Sequence, residues 1–192
     1  MLAATELVAE RGVAAVTLDD VGRRAPASRS QLYHYFDDRD TLVRAVVDAT
    51  ADAVLGAQEG LLDNLDSWAG LDRWFDALVT FQHEHQGRGG CPLGSLAGQL
   101  AERDPEARIA IADGLDRWEA RLLEGLLRMQ ARGKLEAAAD PRSLATATMA
   151  ALQGGLLLTQ VRRDPQQLRI ALDAARTLLR GARPNPSDRL EV

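Results

Sequence analysis

Apolar residues return every three or four positions along most of the chain, the period that gathers them on one side of an α-helix. The pattern predicts a first helix over Leu2 to Arg11, with Leu2, Leu7 and Val8 inward and Gly12 closing it. Thr17 suits an N-cap, with Asp20 at the third helical position, so a second helix runs to about Arg24 with Val21 inward. Asp38 caps a helix that begins at Arg39 and carries Leu42, Val43, Val46, Val47, Thr50, Ala53 and Val54 at helical spacing. After a break near 62–66, Leu71, Trp74, Phe75, Leu78, Val79 and Phe81 form a broad apolar face on a helix over about 67–86. Asp104-Pro105, Asp140-Pro141 and Asp164-Pro165 each place a capping aspartate before a proline. They launch helices over about 105–132, 141–162 and 165–181, two of them closed by Gly133 and Gly181. No strand signal and no internal repeat interrupts this series, so the fold class expected is all-α.

The segment from Ala25 to Phe36 is the most informative. Pro26 lacks a backbone N–H and pushes Ala25 out of the helical region, so the second helix should stop there. Ser28 and Gln31 stand in capping-box spacing and open a new helix. That helix has Leu32 and Phe36, four apart, for the core; Arg29, Ser30, Gln31, Tyr33 and His34 are polar or aromatic. A helix, a tight turn and a short polar-faced helix make the helix-turn-helix plan. A surface turn followed by an ordinary capped helix is the competing reading.

Composition adds limits. A chain of 192 residues suits one or two small domains with a real core. No apolar run approaches the roughly 18–20 residues of a membrane span, and no leader pattern is evident, so a cytoplasmic protein is expected. One cysteine fits a reducing compartment. The formal charge of −5 argues against indiscriminate nucleic-acid binding by the whole molecule, though not against a small reading head.

Three blocks match one family in order and spacing. They are Ala3-Ala4-Thr5-Glu6-Leu7 through Glu10-Arg11-Gly12, then Val16-Thr17-Leu18, then Leu32-Tyr33-His34-Tyr35-Phe36. Over the first quarter of the chain this resembles the DNA-binding domain of the TetR, or tetracycline-repressor, family of transcriptional regulators. The resemblance implies a three-helix head over 1–46, joined by the fourth helix to a helical ligand-binding and dimerisation domain over 47–182, with a disordered tail over 183–192. It assigns DNA contacts to Thr17, Ser28, Arg29, Ser30, Gln31, Tyr33, His34 and Arg39. Arginine pairs with guanine and glutamine with adenine, so Arg29 and Gln31 are the expected base readers. Thr17 and Arg39 suit phosphates, the first through a hydroxyl and a helix N-terminus, the second through charge. Arg23 and Arg24 are also available for phosphates. Relatives carry a few basic residues ahead of the first helix; here the sequence opens on the helix itself. Pro26 stands where the family usually has glycine, and Asp37, Asp38 and Asp40 put negative charge near the DNA-facing edge.

In the larger domain Trp74, Phe81, Trp118, Met149 and Gln153 are candidates to line an effector pocket, with plain core packing as the alternative. Gln153 interrupts an apolar run and needs a partner if buried. Family members dimerise through their last two helices, which here offer Leu152, Gly155, Leu156 and Thr159, then Ile170, Ala174, Thr177 and Leu178. The glycine-rich stretch from Gly87 to Gly98 reads as a turn and a short, weak helix beginning near Pro92, suited to relay a conformational change. Cys91 fits a small buried side chain better than an oxidant sensor. His83 and His85, two apart, do not share a helix face, and no metal or cofactor is called for. The expected protein is a homodimeric repressor on a palindromic DNA operator, released by a small molecule that alters the spacing of its two heads. A helical enzyme, disfavoured by the lack of a catalytic constellation, and a ligand-independent DNA-binding protein are the alternatives.

Overall fold

The computed structural model describes residues 1–25 and 29–184, with the side chain of Arg29 also outside the description. The described residues form ten α-helices, one 3₁₀ turn and no strand. The helices are α1 (Leu2–Arg11), α2 (Leu18–Arg24), α3 (Arg29–Tyr35), α4 (Arg39–Gly56), α5 (Glu59–Leu62), α6 (Trp68–Glu84), α7 (Pro92–Leu100), α8 (Pro105–Ala131), α9 (Pro141–Arg162) and α10 (Gln166–Gly181). The 3₁₀ turn, Val13–Ala15, and the single-turn α5 have no counterpart in the periodicity.

The chain divides into two compact units, and the first is discontinuous: residues 1–57 together with 92–116. Its core joins Leu7 and Val8 of α1, Val13 and Val16 of the turn, Val21 of α2, Leu32 of α3 and Leu42, Val43, Val46 and Val47 of α4. Leu96 and Leu100 of α7, with Ala107 and Ile111 of α8, complete the same cluster. Residue 46, the expected end of the head, falls inside α4. Leu2 is not inward: it is 74% exposed, and Ala4 takes its place in the core.

The helix ends follow local chemistry. Gly12 closes α1 at φ 79°, a left-handed conformation that a side chain would strain. Thr17 and Asp20 form a reciprocal capping box at α2. Asp38, Asp104, Asp140 and Asp164 accept from the N–H groups of Thr41, Ala107, Arg142 and Gln166 respectively.

The second unit holds 58–91 and 117–192. Trp74 and Phe75 of α6, Trp118, Leu122 and Leu126 of α8, Leu152 of α9, and Leu168 and Leu172 of α10 are buried in it. By length and composition α9 passes for a membrane span, which corrects the expectation that no run comes near one. Its inward face packs on α10, where an ideal Cβ on Gly155 would lie 2.9 Å from Leu168 Cδ1. Gln86, Gly87, Gly89 and Gly90 all take positive φ in the turn that leaves α6. Arg183, placed in the tail by the sequence pattern, stacks its guanidinium 4.2 Å over the Trp68 ring. Residues 185–192 lie outside the described residues.

Candidate nucleic-acid interface

Helix α3 is held by one buried residue. Leu32 sits against α2, where an ideal Cβ on Gly22 would come within 3.3 Å of Leu32 Cδ1, so the two helices lie close. Anchored on that side, α3 leaves Ser30, Gln31, Tyr33 and His34 exposed together on one short helix. Tyr33 Oη stands 3.5 Å from Asp19 Oδ1 of α2, and His34 packs edge-on to Tyr35 at 5.7 Å. Ser28, Pro26 and the capping box expected from Ser28 and Gln31 lie outside the described residues. Arg29 opens α3 by its backbone. Tyr35, absent from the expected contacts, is 74% exposed. A large aromatic next to the reading residues, off the Leu32 and Phe36 side, was the available signal.

The surrounding charge is more committed than expected. Arg24 makes a two-pronged pair with Glu10, at 2.7 and 2.8 Å, and Arg23 pairs with Asp20, so neither is held ready for phosphate. Arg44 pairs with Glu106 of α8. The Thr17 hydroxyl donates to Asp20 Oδ2 at 2.6 Å and accepts from the Asp20 N–H, closing the cap on itself. Those hydrogen bonds from Thr17, side chain first and backbone second, hold the Asp20 carboxyl below the usual aspartate range and keep it charged. Arg39 is engaged too, with its side chain still 43% exposed. Its Nη2 donates to the Val13 carbonyl at 2.8 Å and its Nε to that of Val16 at 3.4 Å.

In the second unit, Trp74, Trp118 and Met149 are buried as expected of pocket or core residues, and Gln153 is half-buried. Phe81 is not inward: it is 51% exposed and stacks on His85 at 4.0 Å. By helix angle it lies on nearly the same side of α6 as buried Trp74, seven residues earlier, so the period does not account for its exposure, and Gln82 is the residue buried at this end of the helix. Gln82 is 2% exposed, and the sequence reading missed it, although its spacing from Leu71, Phe75 and Val79 marks it inward. Among the described residues, Gln82 Oε1, Trp118 Nε1 and Gln153 Nε2 are buried without a hydrogen-bond partner. An open depression of about 630 Å³ lies elsewhere, lined among others by Glu136, Ser143, Leu144, Thr177 and Leu178.

The expected dimer residues divide. Leu152, Gly155, Leu156 and Thr159 are buried within their own chain, Gly155 and Thr159 against α10. Ile170, Ala174, Thr177 and Leu178 are exposed on α10. The exposed apolar residues of α9 are Leu157, Leu158 and Val161, on the opposite side from the positions expected. Because α9 is apolar nearly all round, periodicity did not tell its inward side from its outward one.

Two family models match. One, described as "Bacterial regulatory proteins, tetR family", covers residues 1–46; the other, "Tetracyclin repressor-like, C-terminal domain", covers 68–175. An uncharacterised HTH-type transcriptional regulator of Mycobacterium tuberculosis is 30% identical over 197 residues, covering 97% of this chain and 95% of the relative. The transcriptional regulator AcuR of Cereibacter sphaeroides is 27% identical over 168 residues, covering 86% of this chain and 77% of the relative. The crystal structure of a regulatory protein TetR from Rhodobacter sphaeroides superposes with a TM-score of 0.74 at 24% identity, covering 92% of this chain and 94% of that one. With a DNA-reading head at one end and the family's C-terminal domain over more than half its length, the chain belongs to the TetR family of DNA-binding transcriptional regulators, which are not enzymes.

Proposed function

We propose that the protein is a cytoplasmic repressor that binds a palindromic operator as a homodimer and is released by a small uncharged molecule. The observation that carries the effector reading is the set of unpartnered buried atoms in the second unit: Gln82 Oε1, Trp118 Nε1 and Gln153 Nε2. A buried polar atom without a partner costs about 1–3 kcal/mol, so each of the three gains from a partner that a bound molecule can supply. They offer one acceptor and two donors. Among the described residues the buried polar side chains are Gln82, Thr148 and Thr159, and no charged side chain is fully buried. A neutral ligand bearing both an acceptor and a donor suits that chemistry.

In the head, the exposed face of α3 reads bases in the major groove, Gln31 suiting adenine and Arg29 guanine, while Ser30, Tyr33, His34 and Thr17 approach phosphates or thymine methyls. Ser28 and Arg39 belong to the same proposed surface. The dimer forms through the outward faces of the last two helices, Leu157, Leu158 and Val161 with Ile170 and Leu178, whose apolar side chains are open to a second copy. Two heads then meet half-sites one helical turn, roughly 34 Å, apart.

The test is selection of bound duplexes from a random pool, repeated with a neutral metabolite extract. The expected result is an inverted repeat whose recovery drops when the extract is added. Recovery of the same repeat unaffected by any fraction sinks the effector reading and favours a ligand-independent regulator. Recovery of a single half-site sinks the dimer.

A further inference from the structure

We propose that Gln99 of α7 is a positioning residue for DNA binding. Its carboxamide fixes the turn after α1 and, through that turn, the guanidinium of Arg39 at the head of α4. The inference rests on the family's DNA binding and on neither the effector nor the dimer reading.

The turn needs an outside partner. Helix α1 stops at Gly12, so the N–H of Val13 has left the helical ladder, and Val13 is 2% exposed. A buried N–H without an acceptor is costly. Gln99 Oε1 accepts from it at 2.9 Å, across 86 residues of sequence. Gln99 Nε2 donates to the Ser95 carbonyl at 3.1 Å, one turn back on α7. Only the oxygen can accept and only the nitrogen can donate, so the two bonds fix the direction of the carboxamide. It lies close over Gly12, whose ideal Cβ would be 3.0 Å from Gln99 Oε1.

The other end of the same residue is also gripped. The Val13 carbonyl accepts from Arg39 Nη2 at 2.8 Å, and the Val16 carbonyl from Arg39 Nε at 3.4 Å. Arg39 is the first residue of α4 and one of the proposed DNA contacts. A chain of bonds therefore runs from α7 through Val13 to Arg39. Helix α7 is fixed where this matters, because Leu96 and Leu100 belong to the head's own core. Gln99 itself is exposed, so replacing it leaves that core intact.

The experiment uses the full-length protein and the duplex that the parent selects from a random pool, with a scrambled duplex as reference. In Gln99→Met, which keeps length and helix propensity but loses the acceptor, amide exchange at Val13 measured without DNA should quicken about tenfold. Affinity for the selected duplex relative to the scrambled one should fall about tenfold. Gln99→Glu restores the acceptor for the Val13 N–H while losing the donor to the Ser95 carbonyl, and should recover most of both readouts, its added charge acting alike on the two duplexes. In an Arg39→Ala background the Gln99→Met substitution should cost almost nothing further in affinity, since the two act in series. Unchanged Val13 exchange in Gln99→Met overturns the contact. Quickened exchange with an unchanged affinity ratio, or additive losses in the double variant, reduces Gln99 to a cap on the turn and overturns the proposal.

Discussion

At the scale of single residues, what surrounds a glycine decides the sign of the same substitution. Gly70 lies in the first turn of α6, and a Cβ there would fall 1.7 Å from the Asn64 backbone oxygen. That atom belongs to the chain itself and cannot swing aside. Gly70→Ala should therefore lower stability by about 3 kcal/mol or more, a drop of roughly 6–12 °C in the calorimetric midpoint. Gly98 is interior to α7 with nothing within 4 Å of its Cβ position. Gly98→Ala should raise stability by about 0.5–1 kcal/mol in the same scans, because it removes backbone freedom from the unfolded chain. Legibility at this scale followed sequence distance. The capping box of Thr17 and Asp20 spans three residues and was readable, as were the cap aspartates. The bond from Gln99 to Val13 crosses 86 residues, and no local pattern announces it. For Arg24 and Arg39 the limit is related: an arginine in a sequence is a charge, and only the fold shows that Glu10 or a carbonyl engages it in the protein alone.

At the scale of elements, helix order and limits were largely legible, since caps and periodicity are local, while the assignment of faces was not. The last two helices make the point. Thr159, fully buried on α9, accepts the Leu168 N–H at 3.1 Å and so caps the neighbouring helix rather than facing a partner chain. Thr159→Val keeps the shape and leaves that N–H unpaired. It should cost about 1–3 kcal/mol in denaturant titration while leaving the assembly state of the folded protein unchanged. Val161→Arg on the outward side should do the reverse, giving monomers in sedimentation velocity with near-parental stability. A dimer that survives Val161→Arg would place the interface elsewhere. The helix starts carry a pH signature. Asp38, Asp140 and Asp164 are held below the ordinary aspartate range, chiefly by the Thr41 N–H, the Ser143 hydroxyl and the Gln167 amide respectively. Their folded state favours the charged form. The stabilisation is thus complete above the unfolded value of about 3.9 and is lost as pH falls through the lower folded values. Between about pH 5 and pH 2 the thermal midpoint should fall. A variant with asparagine at all three positions, which caps without titrating, should show a shallower decline over the same window.

At the scale of the whole molecule, electrostatics and chain order matter most. The head over 1–46 has six arginines against seven carboxylates. Arg23, Arg24 and Arg44 are tied to carboxylates. Few phosphates can then be neutralised, so operator affinity should respond weakly to salt. The slope of log affinity against log salt should be no steeper than about −5 for a dimer, with binding left to base contacts on α3 and to Arg39 at the head of α4. A steep slope would mean that those arginines exchange their partners for phosphates. The discontinuous first unit has a further consequence. Leu96, Leu100, Ala107 and Ile111 complete the core of a head that begins at residue 1. A ribosome making this chain must extend it past residue 111 before the last of those side chains exists. Until then the nascent head carries an open apolar flank, a natural target for chaperones. The same order warns against cut-and-paste engineering: a chimera that transplants 1–57 alone onto a foreign sensor leaves behind part of what keeps it folded, and the graft that works should bring 92–116 with it.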